Sequence, residues 1–211
     1  MEGMKQYPDK WFDLALIDPE YGIGMDGQKK SICKNPKHNR KAHIKKDWDG
    51  QIPSAEYFNE VIRVSKNQII WGGNYFTMYL PTTKAWIFWY KGQNGLTMSD
   101  GEMAWTSFNT VTRQIEINRF RLKDYGGTIH PTQKPVALYD WIYKNYLPNG
   151  GRVIDTHGGS MSNLIAGIKA GNIEMTVFEI DTDYYNEAKV RVENFQAQGN
   201  LFGTSHNIIW H

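Results

Sequence analysis

Cysteine is almost missing from this chain of 211 residues: Cys33 stands alone. A single thiol excludes an internal disulfide and any cysteine-rich zinc site, and it fits a reducing compartment. No apolar run approaches the length of a membrane span, and no signal peptide is read. A cytoplasmic protein without a membrane partner is therefore expected. Internal repeats and low-complexity tracts are also lacking. Net charge is small, at +2, so it makes no case for a nucleic-acid partner by itself; any such case rests on where the charges sit. Aromatic residues, by contrast, make up 14% of the chain, with 8 Trp and 12 Tyr. Such rings fill cores first, and they also suit stacking on nucleobases. The length fits one α/β domain over residues 1–211, with a core of real size.

The most informative stretch is Leu14-Ala15-Leu16-Ile17-Asp18-Pro19-Glu20-Tyr21-Gly22. Its apolar run reads as a short buried strand that Pro19 and Gly22 end. Asp18 then stands at a strand's end, where open α/β sheets place their ligands. An exocyclic base amine is a poor nucleophile because its lone pair is delocalised into the ring. A carboxylate at Asp18 and the backbone carbonyl of Pro19 accept its two N–H bonds, which draws the nitrogen towards tetrahedral geometry and aims the lone pair. Proline fixes φ and so pre-places that carbonyl. Tyr21 offers a flat face to a base taken out of its stack. An ordinary strand ending in an Asp-Pro turn has equal standing on these four residues alone.

Between Gly24 and Gly50 no period holds, and lysines crowd together, among them Lys29, Lys30, Lys45 and Lys46. Beside the Asp18 stretch, such a loop is suited to gripping a phosphate backbone. His38 and His43 lack accompanying carboxylates or thiols in a ligand pattern, so no metal is expected. Pro53-Ser54 opens a helix with Ser54 as N-cap. Strands follow over residues 68–71, 85–90 and 103–108. The first is ended by Gly72-Gly73, a pair that either lets a ligand approach the backbone or simply turns it. Residues 115–122 alternate roughly and read as an edge strand or hairpin arm.

His130-Pro131-Thr132-Gln133-Lys134-Pro135 leads into a helix through Tyr146. A strand over 152–155 ends in Asp155. Thr156-His157-Gly158-Gly159-Ser160 is a tight turn into a helix over 162–170. The next strand, 175–179, ends in Glu179, and a last helix runs over 183–196. Strand, glycine turn, helix and a second strand with a terminal acid form the unit that holds a nucleoside, with Glu179 placed for ribose hydroxyls. The glycine pattern is not that of dinucleotide sites. Asp155 ahead of the turn suits a cationic amino-acid group better than a diphosphate, which favours S-adenosylmethionine over a dinucleotide.

Taken together, these pieces resemble the circularly permuted β group of amino-methyltransferases, over roughly residues 11–195. Asp18-Pro19-Glu20-Tyr21 resembles that group's DPPY motif. His130 to Pro135 matches its HPTQKP string in full, and Asp155, Gly159 and Ser160 match its D-x-F-x-G-S-G loop. The likeness is to small phage- or prophage-type adenine methyltransferases. It implies a Rossmann-like α/β fold with a mixed, mainly parallel seven-stranded sheet, helices on both faces and a permuted strand order. It implies a catalytic half over 11–108, a short target-recognition segment over 110–129 and a cofactor half over 130–196. A recognition segment so short leaves selectivity loose or completed by a partner, such as a second copy in a homodimer. The implied reaction moves a methyl group from S-adenosylmethionine to the N6 amine of a flipped adenine in double-stranded DNA. Asp18, Pro19 and Tyr21 would act on the base. His130, Thr132, Gln133, Lys134, Asp155, Gly158, Gly159, Ser160 and Glu179 would hold the cofactor.

Three residues depart from the family pattern: Glu20 replaces the second proline, His157 replaces a phenylalanine, and Met161 replaces a glycine. Glu20 and Met161 leave open a weakened, nucleic-acid-binding relative. RNA adenine and cytosine N4 are the alternative targets, with Asp rather than Ser at position 18 favouring adenine. A nicotinamide dehydrogenase would leave both His130–Pro135 and the Asp18 stretch unexplained.

Overall fold

The computed structural model describes residues 1–24, 49–95, 99–118, 128–130 and 132–200. At its centre lies Phe12–Ile17 (β1), with five of its six residues buried. Its sequence is nearly continuous in apolar residues because neighbours cover both faces of the strand. Ser65–Trp71 (β2) and Gly151–Asp155 (β6) pair with it in parallel, one on each side, with Ile17 opposite Ile70 and Ala15 opposite Ile154. Ile173–Val177 (β7) continues the parallel array beyond β6. On the far side of β2, Gly101–Thr106 (β4) runs antiparallel, and Trp86–Tyr90 (β3) runs antiparallel to β4. Arg113–Glu116 (β5) closes that edge in parallel with β3. The order is β5-β3-β4-β2-β1-β6-β7, the seven-stranded, mainly parallel mixed sheet expected.

Helices cover both faces: Glu2–Lys5 (α1), Ala55–Val64 (α2), Val136–Tyr146 (α3), Ser162–Ala170 (α4) and Thr182–Asn200 (α5). Successive strand residues point to opposite faces. Leu14, Leu16, Ile69, Trp71 and Val153 therefore pack with Leu138, Ile142, Ile165 and Val192 from α3, α4 and α5. Ala15, Ile17, Ile70 and Ile154 face the other way, onto Met4, Phe58 and Val61 from α1 and α2. Pro135 precedes α3 with φ −70° and ψ 142°, a conformation its ring favours. Gly171 stops α4 at φ 77°, donating its N–H to the carbonyls of Gly167 and Ile168.

Several elements differ from expectation, with β2 beginning at Ser65 rather than 68 and β4 spanning Gly101–Thr106 rather than 103–108. The edge strand β5 lies at 113–116 rather than 115–122, and it is no hairpin arm, because it runs parallel to its one neighbour. Strand β7 stops at Val177, so Glu179 stands in the loop beyond the strand rather than at its end. The last helix reaches Asn200, and the short α1 forms in a stretch with no helical period. Both differences come from local backbone bonding that apolar periodicity does not report.

Candidate active site

Because β1, β2, β6 and β7 are parallel, the loops after Ile17, Trp71, Asp155 and Val177 leave from one edge of the sheet. The chain leaves β1 for α2 on one face and leaves β6 for α4 on the other. Between these diverging connections lies a crevice, the usual ligand position of an open α/β sheet.

Asp18 occupies the β1 side of that crevice. Its Oδ1 accepts a hydrogen bond of 2.7 Å from the Tyr21 hydroxyl, and its Oδ2 accepts one from the Lys134 ammonium. Lys134 also pairs with Glu102 Oε2 at 3.1 Å, and Lys91 pairs with the other Glu102 oxygen. The Lys134 side chain is only 2% exposed. Burial works against its ammonium, but the Asp18 and Glu102 carboxylates outweigh that and hold its pKa above the ordinary lysine value. Burial likewise pushes Glu102 up, and Lys134 and Lys91 reverse this to keep it below the usual carboxylate range. The result is a chain of alternating charges, Lys91–Glu102–Lys134–Asp18, ending at the residue proposed to meet the substrate. Lys134, expected at the cofactor's methionine end, thus has its ammonium on Asp18 and Glu102.

Tyr21 is held on several sides. Its ring stacks on Tyr75 at 4.9 Å between centroids, and burial followed by the Asp18 and Glu102 charges raises its pKa well above normal. It therefore stays a donor to Asp18. Gly72 explains how the ring fits: at φ +67°, a Cβ there would lie 2.1 Å from Tyr21 Cε1. A Cβ on Gly73 would lie 2.4 Å from Trp105 Cβ. The glycine pair makes room for the Tyr21 ring and for the backbone and Cβ of Trp105, so the close approach is to the protein's own atoms. Tyr75 itself is 42% exposed at the rim.

Asp155 occupies the β6 side. Its Oδ1 accepts the His157 backbone N–H at 3.0 Å, and its Oδ2 accepts Asn163 Nδ2 at 2.9 Å. Asn163 Nδ2 also reaches the Leu16 carbonyl at 3.2 Å, joining β6 to β1. Burial pushes the Asp155 pKa up to about 6, against the lowering effect of those two bonds. Glu179 pins the glycine turn: Oε2 accepts Gly159 N–H at 2.7 Å and Oε1 accepts Asp181 N–H at 2.8 Å. Gly158 bonds the Phe178 carbonyl at 2.8 Å, and Gly159 sits at φ +48° near the His130 ring. The neighbouring Ile180 is 98% exposed.

His130, the first residue of the His130–Pro135 string, lies against the same turn. The His130 ring meets Tyr184 edge-on at 4.3 Å and its Nδ1 lies 3.1 Å from Thr132 Oγ1. Buried Gln133 accepts the Ile129 N–H at 3.0 Å. Beneath the turn, Arg191 of α5 donates to the Ser160 carbonyl at 2.6 Å, and Ser160 Oγ lies 3.0 Å from Ser162 Oγ. Burial lowers the Arg191 pKa to about 10. Met161 follows with φ 53°, a left-handed conformation for a buried, non-glycine residue.

The expected catalytic residues and cofactor residues are thus brought to one crevice. Lys29, Lys30, Lys45 and Lys46 lie outside the described residues, as do Arg119 to Gly127 of the expected recognition segment. The described ends of the lysine-rich stretch are joined, since Asp49 accepts the Gly22 N–H at 2.7 Å and its carbonyl accepts the Gly24 N–H at 3.1 Å. Glu102, Asn163 and Arg191 escaped the sequence reading. The first carried a usable signal: it is the one charged residue of its strand. Among the described residues no cluster of metal-binding side chains occurs, and no helix is long and apolar enough to cross a membrane.

No protein-family model matches the sequence, and no curated protein matches it. Solved structures do resemble the fold. M1.HpyAVI in its SAM complex aligns with TM-score 0.56 at 14% identity, over 90% of this chain and 91% of that one. The cytosine-N4-specific PvuII DNA methyltransferase gives TM-score 0.56 at 14% identity, over 96% and 90%. TTHA0409 of Thermus thermophilus, complexed with S-adenosyl-L-methionine, gives 0.55 at 14%, over 92% of each chain. What this chain shares with them is the Rossmann-like methyltransferase fold, a seven-stranded mixed sheet between two layers of helices.

Proposed function

We propose that this protein transfers a methyl group from S-adenosylmethionine to the N6 amine of adenine in DNA. The observation that carries the reading is the placement of Asp18-Pro19 at the end of the central strand, one strand away from the Asp155 glycine turn. The similar structures support it, since they include a DNA methyltransferase and two complexes with this cofactor. So does the chain order: the Asp18 strand comes first in sequence yet lies beside β6, as a circularly permuted methyltransferase requires.

The crevice suits the cofactor chemically. Asp155 is a buried carboxylate without a cation among its hydrogen-bond partners, and it would be stabilised by an α-amino group. Glu179 retains acceptor capacity for ribose hydroxyls, because each of its oxygens has two lone pairs. Exposed Ile180 offers an apolar surface beside them. Gly158, Gly159 and Ser160 shape the turn, His130 lies against it, and Thr132 and Gln133 would complete that wall. Bound there, S-adenosylmethionine supplies a methyl group already activated on a sulfonium.

The chain's own groups would prepare the amine. Asp18 and the Pro19 carbonyl accept its N–H bonds. Lys134 holds the Asp18 side chain in place, and is itself fixed by Glu102. The Tyr21–Tyr75 pair supplies flat surface for a base outside its stack. The lysines of the Gly24–Gly50 stretch would grip phosphates. Asp rather than Ser at position 18 favours adenine over cytosine N4.

The test is tritiated methyl transfer to DNA of mixed sequence, followed by digestion to nucleosides. N6-methyladenine is expected, and N4-methylcytosine would transfer the reading to the other amine. Asp18→Ala should lower the rate by orders of magnitude while leaving cofactor affinity nearly unchanged. Wild-type activity in that variant would refute the assignment of the site.

A further inference from the structure

Glu20 and His157 are two of the three positions that depart from the family pattern, and they touch each other. Glu20 Oε2 lies 3.0 Å from His157 Nε2. Glu20 belongs to the loop after β1, two residues past Asp18. His157 belongs to the loop after β6, two residues past Asp155. The contact therefore bridges the crevice between the two halves of the site.

The imidazole is anchored on its other edge as well. His157 Nδ1 lies 3.0 Å from Thr156 Oγ1 and 3.3 Å from the Tyr57 hydroxyl. Tyr57 is buried in α2, and burial raises its pKa far enough to keep the phenol protonated. An ionised Glu20 has no donor, so Nε2 must carry the proton; Nδ1, with its single lone pair, then accepts from one hydroxyl, while the Tyr57 and Thr156 hydroxyls bond each other at 2.5 Å. One tautomer satisfies every partner. A freely exposed ion pair contributes little. Here both side chains are about three-quarters covered, at 28% and 27% exposed, and the ring is already fixed by a helix and a strand end.

We propose that Glu20 and His157 form a positioning tie that holds the Pro19 carbonyl in register with the cofactor turn. It does through a tertiary hydrogen bond what a second proline does through covalent restriction. This rests on the methyltransferase reading of the site. On this view Glu20 is no lesion in the motif, and the change at position 157 is its complement.

The experiment compares wild type with Glu20→Ala, Glu20→Gln, Glu20→Pro, His157→Phe and the double variant Glu20→Pro/His157→Phe. Nitrogen NMR reports the His157 tautomer, its signals identified by their loss in His157→Phe. Calorimetry reports S-adenosylmethionine affinity, and tritium transfer to DNA reports kcat and KM. Glu20→Ala should release the fixed Nε2–H tautomer. Since a misplacement near 1 Å can cost about a hundredfold in rate, Glu20→Ala and His157→Phe should each lower kcat by about tenfold with cofactor affinity nearly unchanged. Glu20→Gln, which still offers an acceptor oxygen, should keep most of the rate. The double variant should recover well above the product of the single losses. Unchanged His157 signals in Glu20→Ala would overturn the tie, and losses that simply multiply would overturn its positioning role. If the wild type neither binds the cofactor nor methylates DNA, the proposed function falls, and the nitrogen signals still decide whether the tie exists.

Discussion

Replacing Asp155 by asparagine should make the protein less stable in acid and more stable near neutrality. Asp155 is 4% exposed, and its pKa is raised from an ordinary 3.8 to about 6 by burial. Below about pH 4 the carboxyl is protonated whether the chain is folded or not. Between about pH 4 and 6 only the folded state keeps the proton, so wild-type stability falls as pH rises. Above that window the loss is complete, at about 3 kcal/mol for a shift of roughly two units. Asparagine removes this dependence and keeps an oxygen for the His157 N–H. Its amide, however, presents hydrogens to Asn163 Nδ2, which costs about 1 kcal/mol for the hydrogen bond lost. The variant should therefore be about 1 kcal/mol less stable than wild type at pH 4 and about 2 kcal/mol more stable at pH 7.5. Urea denaturation of both proteins across that range measures the crossing. A difference constant with pH would refute the claim that burial of this carboxylate opposes folding. Calorimetry at pH 7.5 should show weaker S-adenosylmethionine binding by the variant, since the charge that disfavours the empty fold is the one proposed to receive the α-amino group.

Two further outcomes follow from the geometry. Lys134→Met should destabilise by about 3 kcal/mol, the lower end for breaking a buried pair, because water reaches part of the carboxylates it leaves behind. Urea denaturation checks this, and an unchanged midpoint would refute the role of the ammonium between Asp18 and Glu102. Gly72→Ala places a methyl group inside the Tyr21 ring at a left-handed backbone, so a loss of about 1–3 kcal/mol is expected together with reduced methyl transfer. A neutral result in thermal unfolding would show that Tyr21 moves without cost.

The sequence by itself determined the elements whose signals are local. Leu14 to Ile17 could be read as a short buried strand because every residue in the run is apolar. Asp18 and Asp155 could be placed at strand ends because Pro19 and the Gly158-Gly159 turn stop those strands. Helix α4 was legible to its last residue because Gly171 takes a conformation that favours glycine. Partner choice was not legible, because it depends on strand order and loop closure, which leave no trace in a window of ten or twenty residues. Only the tertiary structure joined Lys134 to Asp18 across 116 positions. Only there did Glu20 meet His157, because β1 and β6 become neighbours although most of the chain separates them. Glu179 could be recognised as an acid near a strand, but its hold on the Gly159 N–H required β6 and β7 to lie side by side. Periodicity fixes which face of an element is buried. What that face is buried against, and which charges end within 3 Å of one another, is set by the packing of the whole sheet.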